Sequence, residues 1–112
     1  MLVNNLKTLE GLECLVPAPA DAIVIGGYTS DLLSDVLANA EDEQALITIQ
    51  SHKNSVAVAS ITGVTALIIC NSRPIGDDLI GACKDEEIAL FVTDKTQFEM
   101  SLQLGSVLEL IR

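Results

Sequence analysis

A chain of 112 residues that is 49% hydrophobic and 20% charged is sized for one domain and too apolar to be disordered. Its formal net charge of -10 argues against sequence-independent binding to nucleic acid or an anionic membrane, which needs clustered Lys and Arg. No apolar stretch is long enough to span a bilayer, and no secretory signal is visible at Met1–Glu10, so the expected location is cytoplasmic.

The elements follow in chain order. Val3–Leu9 reads as a short helix with Leu6 and Leu9 inward, stopped by Gly11. Leu12–Val16 is a short strand, and Pro17 and Pro19 stiffen the connection after it. Ala22–Tyr28 is a β-branched apolar run, read as a buried strand that runs into Gly26-Gly27. Ser30–Asn39 places Leu32, Leu33, Val36 and Leu37 on one helical face, with Thr29 or Ser30 as cap. Ala45–Ile49 is a strand, and Asn54–Ile61 a helix closed by Gly63. Thr65–Cys70 is a strand, Asp77–Lys84 a helix with two acids in its first turn, and Ala89–Val92 a strand. Asp94 and Gln97 have capping-box spacing for a last helix with Phe98 and Leu102 inward.

Strands alternating with helices predict an α/β fold. The expected architecture is Rossmann-like, a mainly parallel sheet of about four or five strands with helices on both faces. The helix Asn54–Ile61 has little polar surface around Val56, Ala57, Val58 and Ala59. It is either wedged in the core or covered by a second subunit, and a homodimer contact is one expectation here. Cys14, Cys70 and Cys83 are odd in number, widely spaced and set in apolar surroundings. They read as three buried thiols rather than a disulfide framework or a metal motif.

Ligands of open parallel sheets bind beyond the carboxyl ends of the strands. Four such ends are Gly26-Gly27-Tyr28-Thr29-Ser30-Asp31, Gln50-Ser51-His52-Lys53-Asn54, Asn71-Ser72-Arg73 and Thr93-Asp94-Lys95. Three of the six basic residues, Lys53, Arg73 and Lys95, fall there, close to helix N-termini where the helix dipole disfavours cations. A bound anion would explain them, since helix-start N–H groups and nearby cations together make a phosphate or carboxylate site. The bland alternative is that loops tolerate Lys and Arg.

The pair Gly26-Gly27 lets backbone approach a ligand or simply makes a tight turn. It matches neither the dinucleotide fingerprint nor the Walker loop. His52, the sole histidine, reads as a hydrogen-bonding residue more than a proton carrier, because no second His or orienting Asp accompanies it. Asp31 and Asp35 stack one helical turn apart and read as solvated acids before metal ligands. No nucleophile–base pair stands out, so no catalysis, metal or cofactor is expected.

The segment Gly26 to Val36 (GGYTSDLLSDV), the run Ile47 to His52 with Asn54, and Val56-Ala57-Val58-Ala59 resemble the DRTGG domain family. The likeness continues through Ala66-Leu67-Ile68-Ile69 into Asn71 and Arg73 and covers nearly the whole chain. Of the motif that names the family, Asp21 and the glycine pair are present, while Ala22 and Ile25 stand where Arg and Thr are expected. The resemblance extends to the N-terminal domain of HPr kinase. It implies a Rossmann-like fold, frequent dimerisation and a regulatory role responding to nucleotides, without kinase activity. Some small relatives carry hydrogenase or iron–sulfur labels, which three cysteines without a Cys-x-x-Cys pair do not support.

The expected function is regulatory: sensing of a small anionic ligand, such as an adenine nucleotide, at the strand ends. The expected contacts are Gly26, Gly27, Tyr28, Ser30, Asp31, Gln50, His52, Lys53, Asn54, Asn71 and Arg73. The alternative is a protein-interaction or dimerisation module with no small ligand.

Overall fold

Strands whose side chains are apolar on both faces need cover on both sides of the sheet, and this chain supplies it. The computed structural model describes residues 1–111. Its strands are β1 (Glu13–Val16), β2 (Gly26–Thr29), β3 (Gln44–Thr48), β4 (Ala66–Ile69) and β5 (Ala89–Val92). They form one sheet in the order β1-β5-β4-β3-β2. β2 to β5 run parallel, and β1 pairs antiparallel with β5. The helices are α1 (Leu33–Asn39), α2 (Lys53–Thr62), α3 (Asp77–Glu86) and α4 (Gln97–Val107). The fold is α/β and Rossmann-like, with a mostly parallel five-stranded sheet.

Each parallel strand pairs with the next in sequence, so right-handed crossovers carry α1, α2 and α3 to the same face. Val36, Val56, Ala59, Leu79 and Cys83 share one core layer there with Leu46, Leu67 and Leu90. The other face is closed by a 3-10 helix, Val3–Thr8, and by α4. Their Val3, Leu6, Met100 and Leu104 pack with Ala45, Ile47, Ile68 and Phe91. Phe91 is fully buried, and truncating such a ring to Ala costs about 3–5 kcal/mol.

Several local expectations change. The first helix is 3-10 and buries Val3 and Leu6, leaving Leu9 half-buried. The run Ala22–Ile25 does not open a strand, because its partners lie elsewhere. Val3 N–H donates to Ala22 O, Val24 N–H to Met1 O, and only Ile25 N–H reaches Glu43 O. Pairing with β3 begins at Gly26, so the glycine pair starts β2 instead of ending it.

Helix α1 is seven residues long and buries only Val36; Leu32 is 61% and Leu37 49% exposed. The cap position is Leu32, with no side-chain cap, rather than Thr29 or Ser30; the Ser30 Oγ accepts from Leu32 N–H at 3.2 Å, one turn short of the helix. The capping box of α4 is Thr96 with Glu99, not Asp94 with Gln97. Phe98 and Leu102 consequently face outward, at 72% and 47% exposure, while Met100 and Leu104 face the core.

The apolarity of α2 follows from its place as the middle crossover helix, flanked by α1 and α3. Val56 and Ala59 face the sheet and Val58 is half-buried, leaving Ala57 and Ile61 exposed. Gly63 closes α2 at φ +82°, tight against Asp42. Asn4 holds the proline-rich connection with a pair of 2.8 Å bonds to Ala18 N and O. Among the described residues no helix is long and apolar enough to cross a membrane.

Candidate functional site

The carboxyl ends of the four parallel strands divide into two environments. Loops after β2 and β3 are consumed by the fold's own bonds. The Tyr28 hydroxyl donates to Asp35 Oδ2 at 2.8 Å, and Asn39 Nδ2 donates to Asp35 Oδ1 at 2.9 Å. The Tyr28 hydroxyl is the main cause holding the Asp35 carboxyl below its ordinary range, and the same bond raises the Tyr28 phenol. Gln50 Nε2 donates to Asp31 O at 2.8 Å, which ties the two loops together. Gln50 O accepts from Ser55 Oγ at 2.6 Å. Asp31 lies ahead of α1, Asp35 is held within it by Tyr28 and Asn39, and among the described residues no three His, Cys, Asp or Glu are grouped to hold a metal.

Gly26 and Gly27 pair with Gln44 and Ala45 at the amino end of their strand, away from the expected rim. Gly27 serves packing: a Cβ there would lie 2.9 Å from Leu104 Cδ2. His52 caps α2, its Nδ1 accepting from Asn54 N–H at 3.1 Å. A ring nitrogen that accepts at a helix start is occupied by the backbone.

The three rim cations do not meet. Lys95 Nζ donates to Gln103 Oε1 at 2.7 Å and to Glu10 O at 2.8 Å, turning toward α4 and the chain before β1. Lys53 lies with Asn54 against the carboxylate-bearing end of α3, where Asp85 and Glu86 line the same shallow cavity of about 290 Å³. Arg73 alone remains at the rim, exposed. The expectation of one pocket drawing on Lys53, Arg73 and Lys95 is corrected on this geometry. The reason is directional: chain position put all three near strand ends, but α4 pulls Lys95 to one face and α2 carries Lys53 to the other.

Arg73 stands at the one place where neighbouring parallel strands send their connections apart. The loop after β4 climbs to α3 on one face, and the loop after β5 crosses to α4 on the other. Such a switch opens a crevice outside the strand ends. Here the crevice has a volume of about 430 Å³. Ser72, Arg73 and Ile75 line it from the loop after β4, and Val92, Thr93 and Asp94 from the end of β5. Gly11 and Glu13 close its third side.

The loop that carries Arg73 is held in an uncommon shape. Asn71 and Ser72 have φ of +63° and +51°, the left-handed region that costs a non-glycine residue about 1–3 kcal/mol unless its surroundings compensate. The compensation is visible: Asn71 N–H donates to Lys95 O at 2.9 Å and Ser72 N–H to Thr93 O at 3.1 Å. Asn71 is thereby a backbone anchor of the crevice, and Arg73 its cation. Glu13, Ile75, Val92 and Asp94 were absent from the expected contacts. Asp94 belongs to one of the four strand ends read from the sequence, whereas Glu13 enters only through the antiparallel pairing of β1 with β5, which chain order does not reveal.

Thiol chemistry has little support. Burial pushes Cys70 and Cys83 up to about 11. Cys14 is half-buried rather than buried, because β1 is an edge strand, and desolvation raises its thiol against a smaller opposing pull from Lys7. No protein-family model matches this chain, and no curated protein matches it.

Proposed function

We propose that the chain is a non-catalytic regulatory domain that senses a small ligand carrying an anionic group. Arg73 holds that group in the crevice beyond β4 and β5. The observation that carries this reading is an exposed rim cation, Arg73, lining a cavity at the switch point. A guanidinium fork suits carboxylate or phosphate. The resemblance to the DRTGG family, with its regulatory role, points the same way.

The test is a thermal-shift panel of carboxylates, phosphorylated metabolites and nucleotides. A ligand at about a hundred times its dissociation constant should stabilise the fold by about 2.7 kcal/mol. Arg73→Ala should abolish that shift and Lys53→Ala should leave it. A shift that survives Arg73→Ala overturns the site.

A second reading, docking of a second copy of this chain, is favoured by Phe98 and Leu102, exposed one turn apart on α4. Sedimentation should then show a dimer that Phe98→Ser dissociates. A dimer sensitive instead to Ala57→Glu would move the interface to α2.

A further inference from the structure

The crevice holds more than its cation. Arg73 shares it with two carboxylates, Glu13 and Asp94, and the three formal charges sum to a net negative site on an acidic chain. A ligand that is only anionic gains from Arg73 and is repelled by both acids. A nucleotide meets a further obstacle. The three aromatic residues lie elsewhere: Tyr28 in β2, Phe91 in the core and Phe98 on the outside of α4. None lines the crevice to stack against a base. The apolar part of the lining is aliphatic, Ile75 and Val92, beside Gly11 and the polar Ser72 and Thr93.

These features together ask for a compact molecule with a negative end, a positive end and a short apolar body. We propose that the ligand is a zwitterion of the amino-acid type. Its carboxylate pairs with the Arg73 guanidinium, its ammonium faces Glu13 and Asp94, and its aliphatic side chain lies on Ile75 and Val92. This rests on the preceding assignment of the crevice as the ligand site, and it replaces nucleotides with amino acids as the ligand class.

The experiment is calorimetric titration of the intact chain with L-leucine, 4-methylpentanoate (the same skeleton without the amine), isoamylamine (without the carboxylate) and AMP. Leucine should bind, and each truncated analogue should bind at least tenfold more weakly. The double variant Glu13→Gln, Asp94→Asn should lose at least tenfold in leucine affinity while its affinity for 4-methylpentanoate rises. Arg73→Gln should lose leucine and keep weak isoamylamine binding. If 4-methylpentanoate or AMP binds the unaltered chain as tightly as leucine, and Arg73→Gln abolishes it, the zwitterion assignment falls and the anion site stands. If none of the four binds and none perturbs the amide resonances of Ser72, Arg73 and Asp94, the zwitterion assignment falls, and the anion site is decided by whether the wider panel gives a shift that Arg73→Ala abolishes.

Discussion

The Nδ1 atom of His52 accepts the backbone N–H of Asn54 at 3.1 Å. That bond satisfies one of the open donors at the start of α2, the job more often done by Ser, Thr, Asp or Asn. His52→Ala should therefore cost about 1 kcal/mol in chemical denaturation, and His52→Asn should restore most of it. Ligand binding in the crevice should be the same in both variants. A His52→Ala chain that keeps full stability would remove the capping role.

The glycine pair separates into two unlike positions. Gly27 sits under Leu104, and an added methyl must displace that side chain. Gly27→Ala should destabilise by about 1–3 kcal/mol, as overpacking in a filled core does. At Gly26 an added Cβ would meet only the Gln44 side chain, at 3.9 Å. Gly26→Ala should stay within about 0.5 kcal/mol of the parent. Equal losses in urea titrations of the two would mean that the pair serves something other than the seat of α4.

The Tyr28–Asp35 bond makes a pH-dependent contribution whose sign can be worked out. The folded chain holds the Asp35 carboxyl below its ordinary range. The stability it adds is present above the unfolded carboxylate range and disappears as pH falls through the lowered folded value. For Tyr28 the folded value is raised, so its share is present below the ordinary phenol range and is lost as pH rises through the raised value. Melting temperatures of the parent should exceed those of Asp35→Ala at neutral pH, and the gap should close on acidification. A gap constant down to the acid limit would assign the loss to packing instead.

Reactivity should sort the thiols. Alkylation of the folded chain at mildly alkaline pH should modify Cys14 alone. Cys70 and Cys83, raised to about 11 by burial, should react only on unfolding. Mass spectrometry after graded exposure reads this directly, and early labelling of Cys70 or Cys83 would show that the core opens locally.

Much of the element pattern was legible because the strands are dense runs, such as Ala66–Ile69 and Ala89–Val92, and because Gly63 punctuates the chain where a left-handed residue is needed. The failures have physical causes. Leu32, Leu37, Phe98 and Leu102 fit a helical period but face water, since a period identifies a stripe without saying which side is covered. Asp94–Gln97 and Thr96–Glu99 both satisfy capping-box spacing, and only the path of the chain out of β5 selects the second. At the candidate site, Arg73 was identifiable from its loop. Its companions Glu13 and Asp94 depended on strand order, which alternating βα units leave open.

The first strand of this sheet in the chain is the partner of the last. β2 can pair with β3 as soon as α1 has formed, and each later strand joins its predecessor, but Glu13–Val16 finds its neighbour only when Ala89–Val92 exists. The parallel part of the sheet can therefore grow by pairing of sequence neighbours, while β1 waits for β5, and the residues before it have only the local bonds that tie Met1–Asn4 to Ala18–Val24. Glu13 reaches the crevice only through that long-range pairing, so a crevice walled by Glu13 cannot exist before β5 is in place.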